Sequence, residues 1–365
     1  MEWAVQSVTG EIAMPRQLDD YRLLGRSGLR VSPLSLGTMT FAATGWGSSD
    51  EEAAQMLDLY IGRGGNFIDT ANFYGGMGGS ETLLGQLIKG RRDPLVISTK
   101  YALTTRPGDP NNSGNHRKSM VRSVEDSLKR MGTDYIDLLY LHMWDARTPA
   151  DEILRAFDDL VRAGKILYTG LSDTPAWQAS RMQAIAELRG WTQFCALQIS
   201  YSLIERTVES DLIPMAREMG MGVAPWSPLG GGVLSGKYTK ADLVGGDTGG
   251  VPSRKSINTA SGRLSAHNLA IADVVAEVAA QLGKTSAQVA LAWTMLDPVV
   301  TSPVLGARTP AQLEDNLGAL DVAFSADQLA MLDATSAVAP VFPHNVLNGA
   351  SAPFFFGGCN VEPRG

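Results

Sequence analysis

A chain of 365 residues that is 44% hydrophobic and 19% charged has ordinary globular composition, and its length suits one α/β barrel as well as two smaller domains. A formal charge of −7 leaves no overall basic field for a polyanion, which argues against nucleic acid or an anionic membrane surface as partner. Cys195 and Cys359 are too few for a disulfide framework, the first thirty residues lack a basic start followed by an apolar run, and no apolar run approaches the roughly 18 residues of a membrane span, so a cytoplasmic protein is expected.

Residues 1–18 show no clear periodicity and read as a flexible extension ahead of a single domain over 19–365. Tyr21–Leu24 and Leu29–Ser32 flank Gly25-Arg26-Ser27-Gly28 and predict a hairpin placed to close a barrel floor. Eight short, nearly continuous apolar runs then recur: Val31–Met39, Phe67–Ala71, Leu95–Lys100, Ile136–His142, Ile166–Ser172, Phe194–Ser200, Gly222–Pro228 and Val300–Gly306. Strands apolar on both faces are what a buried parallel sheet requires.

Helical signals separate the runs. In Lys118–Met131 the apolar residues Val121, Val124, Leu128 and Met131 fall on one stripe. Thr148-Pro149, Thr174-Pro175 and Thr309-Pro310 each place a capping hydroxyl before a proline, and Ser49 with Glu52, Thr309 with Gln312 and Ser325 with Gln328 have capping-box spacing. Gly230–Ser265, rich in Gly, Ser, Thr and Asp, is too long for a simple connection and reads as a functional loop, followed by helices over Asn268–Leu282 and Ser286–Leu296. The tail over 337–365 carries Pro340, Pro343, Pro353 and Phe354-Phe355-Phe356 and reads as a rim segment. The expected fold is a (β/α)₈ TIM barrel with an N-terminal hairpin, two extra helices and long loops on its C-terminal face.

In such a barrel the C-terminal strand ends converge, so polar residues there meet although they are distant in sequence. The second, third and fourth runs end in Asp69, Lys100 and His142, with Tyr74 just past Asp69. Taken singly, these read as a loop cap, a solvated charge, a core histidine and rim packing; jointly they supply partners for charges at the ends of apolar strands. A phenol is a poor acid at neutral pH, but an adjacent ammonium stabilises phenolate and lowers its pKa. Lys100 supplies that charge, Asp69 holds Lys100 protonated, and His142 can donate to a carbonyl oxygen.

Asp69-Thr70-Ala71-x-x-Tyr74-Gly75, the later Lys100, and His142 after Leu138-Leu139-Tyr140-Leu141 resemble the catalytic tetrad of the aldo-keto reductases, closest in style to the microbial and channel-subunit-like branches. The resemblance covers Tyr21 to about Leu332. It implies reduction of an aldehyde or ketone with NADPH, or the reverse oxidation of an alcohol. By the same resemblance Gly37, Thr38, Met39, Asp69, Ser172, Gln198 and Trp226 surround the nicotinamide, with Asp173 where many members have Asn. Ser227, Leu229, Gly232, Gly236 and Lys237 belong to its pyrophosphate segment, and Gly306, Arg308, Gln312 and Asn316 to its adenosine end. The residue types suit those roles, since an amide and a hydroxyl satisfy a carboxamide, an indole stacks on a flat ring, and a guanidinium beside a helix N-terminus binds phosphate.

Competing readings are weaker. Gly231 to Lys237 matches the glycine and lysine positions of a P-loop, but Tyr238 replaces the magnesium-binding hydroxyl. No Gly-x-Gly-x-x-Gly unit follows an early strand, no Gly-x-Ser-x-Gly elbow is present, and His116, His142, His267 and His344 lack metal-ligand spacing, so no metal is expected. A Schiff-base barrel enzyme using Lys100, or a nicotinamide-binding sensor subunit, are the alternatives from other classes. Candidate walls for a small carbonyl substrate are Phe41, Trp46, Phe73, Tyr74, Tyr101, His142, Trp144 and the tail phenylalanines, whose aromatic character suits an apolar or ring-shaped molecule. The outward helix faces carry no continuous apolar stripe from which an oligomeric state is read.

Overall fold

The computed structural model describes residues 17–243, 253–347, 352–355, 357 and 359. A two-residue antiparallel hairpin, β1 (Arg22–Leu23) and β2 (Arg30–Val31), precedes eight strands: β3 (Ser35–Gly37), β4 (Phe67–Asp69), β5 (Val96–Tyr101), β6 (Ile136–Leu141), β7 (Ile166–Ser172), β8 (Ala196–Ser200), β9 (Gly222–Trp226) and β10 (Val304–Gly306). These eight form one all-parallel sheet in the order β10-β3-β4-β5-β6-β7-β8-β9. Its two edges meet through a parallel bridge between Val223 and Val300 and through bonds from Val223 N to the Val299 carbonyl and from Thr301 N to the Val223 carbonyl, each 2.8 Å. The sheet is thereby curled into the expected barrel.

Two predicted runs are shorter as strands because proline interrupts them. Pro33 separates β2 from β3, and Pro303, with no N–H to donate, leaves only Val304–Gly306 in the last ladder. The hairpin does close the floor: its Leu24 and Val31 pack with Phe67, Val96, Leu138 and Ala196 from the strand starts. Gly25 turns there at φ 55°, where an added Cβ would stand 2.3 Å from the Cys195 carbonyl oxygen. Leu18, the last residue of the predicted extension, is buried in the main core; residues 1–16 of that extension lie outside the described residues.

The outer layer consists of α1 (Asp50–Gly62), the single turn α2 (Tyr74–Met77), α3 (Gly79–Leu87), α4 (Arg117–Met131), α5 (Ala150–Arg162), α6 (Ala176–Arg189), α7 (Leu212–Glu218), α8 (Arg254–Ala260), α9 (Ala266–Leu282), α10 (Ser286–Thr294), α11 (Pro310–Leu317) and α12 (Ala326–Ser336). In α4 the stripe turns inward, with Val124, Leu128 and Met131 buried. Ser49–Glu52 and Ser325–Gln328 form both bonds of a capping box. At α11 only half of one forms: Thr309 accepts from Gln312 N, while the Gln312 side chain accepts instead from Arg308 N at 2.9 Å.

Thr148 and Thr174 are not caps. Pro149 and Pro175 have extended ψ values of 139° and 143° and stand at the cap position themselves, so the helices begin one residue later. The freed hydroxyls donate elsewhere, Thr148 Oγ1 to Asp145 Oδ2 at 2.7 Å and Thr174 Oγ1 to the Ser172 carbonyl at 2.9 Å. No helix among the described residues is long and apolar enough to cross a membrane.

Candidate active site

At the C-terminal mouth, β4 delivers Asp69 and β5 delivers Lys100. Lys100 Nζ is fully buried and donates to Asp69 Oδ2 at 2.6 Å, to the Thr70 carbonyl at 2.8 Å and to the Tyr74 hydroxyl at 3.4 Å. The other carboxylate oxygen of Asp69 accepts from Ser98 Oγ at 2.7 Å and Gln198 Nε2 at 2.9 Å, so β4, β5 and β8 fix one carboxylate between them. His142, just past β6, meets Tyr74 edge to face with ring centroids 5.9 Å apart. The four residues expected to converge do so.

The backbone that carries Tyr74 is held from behind. Residues 75–78 all have positive φ, including the non-glycine Met77 at 68°. An added Cβ on Gly75 would lie 2.4 Å from Ser80 N, so only glycine permits this tight return into α3. Glu81 in α3 is buried; it accepts from Thr99 Oγ1 at 2.5 Å and from Arg130 Nε at 2.6 Å, tying α3 to β5 and α4 directly beside Lys100. Ser80 Oγ donates to the Thr38 carbonyl at 2.8 Å and Thr38 N to the Asp69 carbonyl at 2.9 Å.

Titration behaviour follows from burial first and charge second. Burial pulls Lys100 down, but Asp69 and then Tyr74 outweigh it, so its ammonium is held above the ordinary lysine range. Burial pushes the Tyr74 phenol up; Lys100 pulls against this without overcoming it, and Asp69 adds to the rise. The net direction corrects the expectation that Lys100 brings the phenol below its usual value. Burial, then the nearby Lys100, depress His142 to about 3, so the ring is neutral at physiological pH. Among the described residues its Nδ1 is buried without a partner, which is tolerable for a lone pair and costly for an N–H, and therefore favours the tautomer with the proton on Nε2.

A cavity of about 1040 Å³ runs from this cluster across the barrel mouth. Its lining includes Tyr74, His142, Met39, Trp46 and Leu103, the strand-end residues Ser172, Asp173, Gln198 and Trp226, and Ser227, Leu229, Gly232, Lys237, Arg254, Gly306, Arg308, Gln312 and Asn316. Lys237, Arg254 and Arg308 sense one another's charge, and Arg254 also that of Arg263. Among the described residues none of the four forms an ion pair with a carboxylate, and three of them, Lys237, Arg254 and Arg308, line the cavity that also holds the proton-handling cluster. Arg254 lies over the Trp46 ring at 5.0 Å and Arg263 over the Trp226 ring at 5.2 Å.

A profile of the Aldo/keto reductase family matches residues 33–337. The chain belongs to the aldo/keto reductase family. It is 38% identical over 325 residues to the uncharacterized oxidoreductase YrpG of Bacillus subtilis, covering 86% of this chain and 95% of that one. It is 37% identical over 334 residues to the norsolorinic acid reductase stcV of Emericella nidulans, covering 88% and 82%, and 36% identical over 346 residues to the aldo-keto reductase ausK of the same organism, covering 91% and 85%. The protein is therefore an oxidoreductase enzyme of a family whose members act on small carbonyl compounds with NAD(P)H.

In this aldo/keto reductase several expected site residues stand off the cavity. Phe41 is fully buried in the core and Tyr101 is equally buried, its hydroxyl donating to the Asn115 carbonyl at 3.2 Å and its ring meeting Phe157, which removes both from the substrate wall. Phe73 is exposed on the outer surface, and Trp144 packs edge-on against Trp177; neither lines the cavity. Thr38 is a strut beneath Asp69, and Gly236 only ends the turn over Gly230–Ser235. In that turn the glycines make room for protein, since a Cβ on Gly231 would meet Asn258 Oδ1 at 2.3 Å and one on Gly232 the Lys237 ammonium at 2.6 Å. Phe354 and Phe355 are exposed and do not line the cavity, and Phe356 lies outside the described residues, as does 244–252 of the long loop. Arg254 and Arg263 are the functional candidates that sequence reasoning missed; two arginines in a Gly/Ser-rich loop just past a glycine turn were the available signal.

Proposed function

We propose that the enzyme reduces an aldehyde or ketone to an alcohol with NADPH, using Tyr74 as proton donor. The observation that carries this reading is one cavity that holds the Asp69–Lys100–Tyr74 chain together with Lys237, Arg254 and Arg308. The residues present fit a phosphorylated dinucleotide: unpaired cations suit its phosphates, the Arg308 fork before α11 suits a 2′-phosphate, and Trp226, in the same lining, offers a flat surface for a planar ring. When bound, the reduced nicotinamide supplies hydride to the carbonyl carbon.

The chain's own groups do the rest. His142 Nε2–H points the carbonyl oxygen toward Tyr74 and, being neutral, donates without surrendering its proton. Tyr74 passes its proton to the alkoxide oxygen as charge develops there. Lys100, kept cationic by Asp69, stabilises the phenolate left behind and so opposes, in part, the cost that burial puts on that charge. Met39, Trp46 and Leu103 offer an apolar wall suited to a ring-bearing carbonyl compound.

Tyr74→Phe tests the assignment. Turnover should fall about 10²–10⁴-fold across a carbonyl panel followed by NADPH absorbance, while NADPH binding stays near wild type. Undiminished turnover with every substrate would remove Tyr74 from the chemistry.

A further inference from the structure

Asp173 stands one residue beyond β7 at φ 38°, a left-handed conformation that a non-glycine residue adopts at a cost. Its carboxylate lines the cavity and accepts from Trp226 Nε1 at 3.1 Å. Burial pushes its carboxyl up, against the Trp226 bond and the pull of Lys100 and Arg263. Yet among the described residues no cation pairs with it: Lys100 is engaged by Asp69, and Arg263 sits over the indole. A partly buried carboxylate with no cation in direct contact gains when a further positive charge is placed beside it.

Under the dinucleotide reading proposed above, on which this inference rests, the group that lies against Trp226 changes charge during turnover. It is neutral when reduced and cationic when oxidised. Hydride transfer carries two electrons and a proton nucleus from the ring to the carbonyl carbon; the ring is left with one positive charge, and the oxygen's negative charge is quenched by the Tyr74 proton. A fixed carboxylate beside the ring favours only the oxidised form.

We propose that Asp173, held against Trp226, discriminates the charge of the nicotinamide, binding NADP⁺ more tightly relative to NADPH than a neutral residue would and making the bound reduced cofactor a stronger hydride donor. The two consequences are one quantity, because differential affinity for two states of a ligand shifts their equilibrium on the protein by the same factor. A residue that merely hydrogen-bonds the carboxamide acts alike on both forms and leaves the ratio of affinities unchanged.

The test is the pair of dissociation constants for NADP⁺ and NADPH, measured by tryptophan fluorescence at mildly alkaline pH without substrate. Asp173→Asn keeps the shape and an acceptor for Trp226, and should raise Kd(NADP⁺)/Kd(NADPH) about tenfold, a typical size for coupling between sites. Arg263→Gln removes the opposing charge and should lower the same ratio. It also serves if Asp173→Asn fails to fold. A ratio that stays within about twofold of wild type in either binding-competent variant overturns the proposal, even if both affinities fall together. Wild-type protein that binds neither form would instead refute the dinucleotide reading, and this proposal with it.

Discussion

Replacing Lys100 by Met removes the ammonium 2.6 Å from Asp69 while keeping a side chain of similar length in a fully buried slot. At an effective dielectric constant of about 20, two unit charges at that separation attract by about 6 kcal/mol, and desolvating each ion costs several kcal/mol, so the intact pair contributes little net stability. Breaking it is a different matter. Lys100→Met leaves the Asp69 carboxylate with only the neutral donors Ser98 and Gln198, and should cost about 3–5 kcal/mol. Asp69→Asn, which leaves the ammonium facing an amide, should cost a similar amount. The double variant carries no buried charge at the pair and should return to within about 2 kcal/mol of wild type. Urea unfolding of the four proteins, followed by tryptophan fluorescence, closes the cycle. All three variants should be inactive, which separates the catalytic loss from the stability pattern. If the two single costs simply add in the double variant, the attraction between Lys100 and Asp69 is not what holds this cluster together, and the reasoning fails.

Arg308→Ala should weaken NADPH about 10–100-fold, the cost of a charge-assisted bond, and NADH far less; equal losses in titrations of the two would move the phosphate contact elsewhere. The depression of His142 from 6.5 to about 3 has a signed consequence for stability. The unfolded chain takes up a proton that the folded one refuses, so this contribution is fully present above about pH 6.5 and is lost as pH falls toward 3, at up to about 1.4 kcal/mol per unit. His142→Gln should flatten that slope in a pH series of urea midpoints, and parallel curves for the two proteins would contradict it. Met77→Gly relieves a positive φ at a half-exposed side chain and should raise stability by about 0.5–1 kcal/mol, the left-handed penalty less the entropy of glycine; a lower melting temperature would show that Met77 packing outweighs strain.

The strands and the tetrad were legible because their signals are local and repeated. Apolar runs mark where a parallel sheet must be, and a barrel puts their ends in one place, so Asp69, Lys100 and His142 follow from topology. Residue type alone does not say which way a side chain turns once the strand has ended. Phe41 and Tyr101 are aromatic and close to the site, yet both turn into the core, whereas Trp46 faces the cavity beneath Arg254. Thr148 and Thr174 show a second limit, because a hydroxyl before proline caps a helix only if the proline itself turns helical, and Pro149 and Pro175 stay extended and take the cap position. The direction of the Tyr74 shift depended on how deeply the phenol is buried, a quantity set by the whole mouth of the barrel rather than by the motif.

Seven of the eight junctions between neighbouring barrel strands are ladders, and the eighth, between β9 and β10, is the Val223–Val300 bridge with its few flanking bonds. The cavity straddles that junction, with Trp226 and Ser227 on one bank and Val304 to Gly306 on the other. Whatever occupies it is thus a staple across the least securely sewn part of the barrel, and its binding free energy adds directly to the resistance of that seam to opening. Occupancy of the cavity and the lifetime of the fold are coupled there: emptying it also removes the stitch that keeps the last strand home.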